Sequence, residues 1–367
     1  MKKVLLLVGC SLLALVLVGC KKYDETIKVF LPTEYISDDL IKDFEDEYHI
    51  NVEKIEFESN ELAIAQIESG SFDVVIPSDY AIEELASKNL LKSLDWSKVE
   101  GFNTEDFDTE LTTILHKLAT DTSLGTTGFN LLNYAAPYFW GNVGLIYDKT
   151  KVNIGTIVNN GWGILGQASS TQKIALYESA RDMFMIALKW IFSQMNSSSN
   201  VNNPSVQEIV AAGDWLKAIS SQGANVKWVT DDILDDMLNP NATKYAMSVA
   251  YSGDAIWLMS ENPNLGYYVP SQGTNVFVDA MCIPNNAKNE SGAYKFISYF
   301  LSHDVQYANS EEWGYTSVRG DVIDEIISDG VYPSESYRIH VGAKDEIFRY
   351  NPTLKEDIDR IWLDVRS

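Results

Sequence analysis

Cysteine, histidine and positive charge are all scarce in this chain. Three cysteines and four histidines in 367 residues leave no basis for a disulfide framework. The histidines, His49, His116, His303 and His340, stand singly, and no HExxH pair occurs. A metal or histidine-based catalytic site would have to assemble entirely from distant residues, so neither metal nor cofactor is expected. Basic residues number 28 against 52 acidic ones, a net charge of −24, and such a surface repels phosphate backbones. Nucleic acid is therefore excluded as a partner. No GxxxxGK[ST] loop, GxGxxG turn or GxSxG elbow is present. Carboxylate pairs arise by chance among 52 acids and give a glycosidase reading no anchor. The expectation is a protein that is not an enzyme. Repeats and heptads are missing as well, and the one long hydrophobic run is at the start.

That run, Val4 to Val18, follows Lys2 and Lys3 and is short for a ~30 Å hydrocarbon core, so it reads as a signal peptide. Leu17-Val18-Gly19-Cys20 resembles a bacterial lipobox. The same letters at Leu7 to Cys10 follow too short an apolar stretch, which makes Cys20 the expected lipid acceptor. Residues 1–19 would be removed, taking Lys2 and Lys3 and moving the net charge from −24 to −26. Residues 20–26 would be a lipidated tether holding the rest on the extracytoplasmic face of a membrane. Cys282, in Ala280-Met281-Cys282-Ile283, is expected to be a buried, inert thiol.

The full sequence is 46% apolar, ample for a core, and the remaining chain exceeds the ~250–300 residues at which single cores stop growing. Two lobes are expected. Strand candidates Ile27–Leu31, Val52–Phe57 and Asp73–Ile76 alternate with helices opened by Ser37 and Asn60, an α/β pattern. Further strands are expected at Gly141–Tyr147, Ile174–Tyr177, Tyr245–Tyr251 and Phe277–Ile283. Helices are expected at Ala180–Phe192, apolar nearly all round, at Val206–Ser220 and at Glu290–Leu301. Residues 78–80 then lie at the carboxyl end of a strand, where open α/β sheets bind ligands.

Aromatic and acidic residues share several strand ends and turns: Glu34-Tyr35, Asp79-Tyr80, Tyr138-Phe139-Trp140, Tyr251 to Asp254, and Phe277 to Asp279. An alkylammonium ligand needs both kinds, carboxylates for its amines and aromatic faces for its methylenes. Any single pair also reads as an aromatic packed under a lobe beside a solvated carboxylate.

Taken in order, VFLPTEY (Val29–Tyr35), FDVVIPSDY (Phe72–Tyr80), PYFWGNVGLIYD (Pro137–Asp148), YESARDMFMIALK (Tyr177–Lys189), AYSGDA (Ala250–Ala255) and FVDAMCIPNNAKN (Phe277–Asn289) resemble the polyamine-binding lipoproteins of ABC transporters. That resemblance spans about Ile27 to Trp362. It implies a periplasmic-binding-protein-like fold of two α/β lobes with a ligand cleft between them. The matched positions are Thr33, Glu34, Tyr35, Ser78, Tyr80, Asp182, Asp254 and Asp279. The aspartate matched by Asp279 pairs with a ligand amine in that family. Tyr251 and Phe277 stand where tryptophan is frequent, Pro32 replaces a tryptophan, and Ser179 an acid whose charge the flanking Glu178 and Asp182 could supply. An arginine facing the cleft would oppose a cation, which puts Arg349 outside it.

The resemblance implies a monomeric binding protein that captures spermidine or putrescine and delivers it to ABC permease subunits. Lobe 1 would comprise 27–136 completed by about 278–323, and lobe 2 137–277 completed by about 324–367, with a hinge near Pro137 and Val278. Rival readings are the same fold with another small solute, a surface lipoprotein with a vestigial cleft, and a hydrolase using cleft carboxylates.

Overall fold

Strand β1 (Glu25–Pro32) buries Ile27 and the run Val29 to Leu31, and pairs in parallel with β2 (Ile50–Phe57) on one side and β3 (Val74–Val75) on the other. Helices Asp38–Tyr48 and Asn60–Ser69 make the crossovers, as parallel pairing requires. The computed structural model describes residues 23–229 and 232–367; the expected signal peptide, Cys20 and the first residues of the tether lie outside the described residues. On either side of β3 the N–H groups of Ile76 and Asp73 also donate to the Phe30 and Lys28 carbonyls of β1 at 2.9 and 2.8 Å, and Asp73 does further work. Its carboxylate accepts the backbone N–H groups of Lys28, Lys288 and Asn289 at 2.9, 2.7 and 2.7 Å.

The next strand is the axis of the molecule. β4 (Ala135–Asp148) is buried along all fourteen residues and begins six residues earlier than its glycine-rich part suggested. Pro137 is tolerated because the pairing of β4 with β9 shifts register between Pro137 and Phe139. Beyond it lie β5 (Ile174–Tyr177), β6 (Val226–Val229), β7 (Met247–Tyr251), β8 (Leu265–Tyr268), β9 (Val276–Cys282) and β10 (Thr316–Ser317). The sheet order is β2-β1-β3-β9-β4-β7-β5-β6, with β8 and β10 also pairing with β4. The first part of β4 pairs with β9 and β10, and the second part with β7 and β8. One strand therefore passes from one half of an α/β fold into the other.

Several strand-to-helix turns converge where the halves meet. β3 leads into helix Asp79–Ser87, β5 into helix Ala180–Met195 and β7 into helix Ser252–Glu261. Helix Ala180–Met195 is buried on nearly every side, with Met183 to Leu188 at most 1% exposed. The terminal helix Pro352–Arg366 packs on it and on helix Val206–Ser220. Among the described residues no helix is long and apolar enough to cross a membrane.

Candidate functional site

Between the halves lies an open cleft of about 650 Å³, rimmed by these turns. One buried feature is Asp279, 7% exposed, on a face that also carries Asn275 and Phe277 because side chains alternate along the extended chain of β9. Ser78 donates its hydroxyl to Asp279 Oδ1 and Tyr35 donates its own to Oδ2, each at 2.5 Å. Ser78 is in turn fixed by Asn60, which accepts from its N–H and donates to its hydroxyl, both at 2.9 Å. The backbone carbonyl of Tyr35 accepts from Asn309 at 2.9 Å. A chain of bonds from four segments thus holds one carboxylate.

Burial pushes Asp279 up to about 6, and the charge of Asp182 adds to this, even though the two hydroxyls work to lower it. Asp79 has a different job. It is 1% exposed, accepts from the N–H groups of Val278 and Tyr80, and ties the turn after β3 to β9.

A second carboxylate, Asp182, opens helix Ala180–Met195. Ser179 caps that helix by accepting from the Asp182 N–H, and its hydroxyl donates to Asp182 Oδ2 at 2.7 Å. The Tyr251 hydroxyl donates to the same oxygen at 2.8 Å. Burial raises Asp182 from its ordinary value in spite of both bonds. Asp254 accepts from the Tyr315 hydroxyl at 2.8 Å. Aromatic rings fill the space between: Tyr35 meets Tyr315 edge-on at 5.2 Å, Tyr251 meets Phe277 at 5.3 Å, and Tyr177 meets Tyr251 at 5.0 Å.

All eleven candidate ligand residues line this one cleft. They are not equivalent. Thr33 and Glu34 are exposed on the turn after β1, where Glu34 adopts φ 54°, the left-handed region that costs a non-glycine residue energy. Glu178 is exposed and engaged by Arg366 at 2.8 Å, so its charge is already matched. Arg349 lies away from the cleft, its guanidinium bound by Glu83 at 2.8 Å and Asp121 at 3.0 Å. The arginine that does line the cleft is Arg181, which sequence reasoning passed over. Tyr315, Asn275 and Trp313 were also missed. Alternation along β9 from Asp279 could have found Asn275; Tyr315 is brought in from far along the chain with no local signal. Among the described residues no cluster of three or more histidines, cysteines or carboxylates could hold a metal ion.

The arrangement offers buried carboxylates, oriented by hydroxyls and separated by aromatic faces. It suits holding a cation. Comparison with known proteins agrees with a binding fold. The chain is 27% identical over 297 residues to a spermidine/putrescine-binding periplasmic protein of Salmonella typhimurium, covering 80% of this chain and 77% of that one. It is 23% identical over 388 residues to the putrescine-binding periplasmic protein PotF of Escherichia coli, covering 98% and 96%. The crystal structure of the spermidine/putrescine ABC transporter substrate-binding protein PotD from Streptococcus pneumoniae superposes with a TM-score of 0.71 at 25% identity, over 93% of this chain and 98% of that one. The two-lobed periplasmic-binding-protein fold is therefore the fold of this chain. The model of the family described as bacterial extracellular solute-binding protein matches residues 39–333, and the chain belongs to that family.

Proposed function

We propose that this protein captures a polyamine, spermidine or putrescine, outside the cytoplasm and hands it to the permease subunits of an ABC transporter. The observation that carries the reading is Asp279, an ionisable carboxylate sunk in an aromatic box and supplied with two hydroxyl donors but, among the described residues, no cation within bonding distance. Leaving such a group charged and unpaired is costly, and a ligand ammonium removes that cost. Asp182 and Asp254 are further amine partners in this reading. Tyr35, Tyr251 and Phe277 cover methylenes, and Thr33, Glu34, Ser78, Tyr80 and Glu178 complete the rim.

The names of the relatives support the ligand class. Capture proceeds by closure of lobe 1 (27–136 with about 278–323) on lobe 2 (137–277 with about 324–367). The register shift at Pro137/Phe139 is a suitable place for the bend, since a bulge interrupts the ladder there. A lipid on Cys20 would keep the monomeric protein beside its permease.

Titration calorimetry with putrescine, spermidine, an ω-amino acid, a sugar and a divalent cation tests the assignment. Saturable heat with the polyamines, abolished in Asp279→Ala, is the expected result. Binding of any other class in preference, or near-native polyamine affinity in that variant, overturns it.

A further inference from the structure

Arg181 is a cation that the protein has placed in its own cation-binding cleft. It sits in the first turn of helix Ala180–Met195, next to Asp182, with its side chain 15% exposed. Its guanidinium lies 3.7 Å from the centroid of the Tyr80 ring and 5.3 Å from that of Phe348. The Glu61 carboxylate is 3.7 Å from Nε, and the Tyr80 hydroxyl donates to the same Glu61 oxygen at 3.0 Å. Nε itself is buried without a hydrogen-bond partner, so the ring face and the nearby carboxylate hold the group in place. An aromatic face with a carboxylate at its edge is the environment that an ammonium seeks. Here a guanidinium already fills it.

We infer that Arg181 determines specificity, as a built-in counter-cation that occupies the Glu61–Tyr80 end of the cleft and confines the ligand to the part between Asp279 and Asp182. The inference rests on the polyamine reading and sharpens it. Each added ammonium in a longer polyamine needs a carboxylate of its own. The acid at this end is Glu61, and an ammonium approaching it meets the like charge of Arg181. Asp182 can still take one amine, because Ser179 and Tyr251 both donate to its Oδ2. A short diamine fits that arrangement; a longer polyamine that extends past Asp182 toward Glu61, rather than toward Asp254, places a charge against the guanidinium. Discrimination by an opposing charge is a common route to specificity.

The test is calorimetry with putrescine, spermidine and spermine on the wild type, Arg181→Met and Arg181→Lys. Arg181→Met keeps much of the side chain's length and removes its charge, whereas Arg181→Lys retains the charge and reports whether the fold tolerates change there. Wild type and Arg181→Lys are expected to favour the diamine. Arg181→Met should shift the spermidine-to-putrescine affinity ratio by roughly tenfold or more toward spermidine, and further for spermine. A ratio within twofold of wild type in Arg181→Met, or an equal loss for all three amines, overturns the inference while leaving the polyamine reading in place. Should Arg181→Met not fold, Glu61→Gln decides: it leaves the guanidinium unopposed and must lower spermidine affinity more than putrescine affinity, and an unchanged ratio refutes the idea. Failure of the wild type to bind any amine removes the polyamine reading itself, and the inference with it.

Discussion

Replacing Asp279 by asparagine should make the ligand-free protein more stable at neutral pH and useless as a receptor. The carboxylate is raised from its ordinary 3.8 to about 6, which corresponds to about 3 kcal/mol of preference for the protonated form in the folded state. Because the folded value lies above the unfolded one, that stability is fully present below 3.8. It is lost as pH rises through about 6. Above pH 7 the native protein therefore carries an ionised group that weakens it. Asparagine removes the charge but can match only one of the two hydroxyl donors without a reorientation, at a cost of about 1 kcal/mol. The net expectation is a gain of roughly 2 kcal/mol at pH 7.5, or about 3 °C in Tm for a chain of this length.

Near pH 4, where the wild-type carboxyl holds its proton, the variant should be slightly the less stable. Melting curves of both proteins from pH 4 to 8, with and without polyamine, provide the assay. Polyamine at a hundred times Kd should add about 2.7 kcal/mol to the wild type and nothing to the variant. Wild-type affinity should itself fall about tenfold per pH unit below 6, as the carboxylate is lost. A variant that melts lower than wild type at pH 7.5, with no change of sign across the pH range, would show that Asp279 is a structural residue and sink the reasoning.

Three further outcomes can be checked. A Cβ added at Gly253 would come within 2.5 Å of the Tyr315 ring; Gly253→Ala should displace that ring from Asp254, costing about 1–3 kcal/mol of stability and weakening polyamine binding, readable by urea titration and calorimetry. Arg349→Met leaves Glu83 and Asp121 without the guanidinium that joins them, and should lower unfolding free energy by about 3 kcal/mol, whereas surface substitutions such as Lys149→Met should stay within about 0.5 kcal/mol. Cys282 is fully buried and its thiol is pushed up by burial; with Cys10 and Cys20 replaced by serine, a colourless native protein with a thiol-reactive dye, turning coloured only in denaturant, is expected.

Much of the fold could be read locally. The helix expected at Val206–Ser220 forms over those residues because Ser205 and Glu208 make a reciprocal capping box ahead of an apolar stripe. Helix Ala180–Met195 could be recognised as buried from its unbroken apolar run. Where local pattern failed, a tertiary partner was responsible. β4 takes in Ala135 to Trp140 because β9 and β10 pair with them. The candidate site shows the same division. Its carboxylates and aromatics stood out by type, but which residues of Glu178-Ser179-Ala180-Arg181-Asp182 enter the cleft depends on where one helix begins. Ser179 and Asp182 share its first turn as cap and partner, Glu178 pairs with Arg366 at the exposed rim, and Arg181 reaches sideways to a ring some hundred residues earlier in the chain. No spacing rule reveals that last contact.

The pairing of β3 with β9 sets a timetable for folding. Val75 has β1 on one side from early in the chain, but its other neighbour, Cys282, comes roughly two hundred residues later. A chain that arrives N-terminus first therefore presents β1, β2 and β3 with an open, apolar edge for most of its emergence. Closing so long a loop is slow and carries its entropy cost before the contact forms. The first half cannot mature as a separate unit, and truncation anywhere before Cys282 should leave it unfolded and prone to edge-to-edge association rather than half-functional. For a protein of an extracellular family this lateness has a use: a polypeptide whose first strands wait for a partner until about three quarters of it has arrived stays threadable for most of a passage across a membrane.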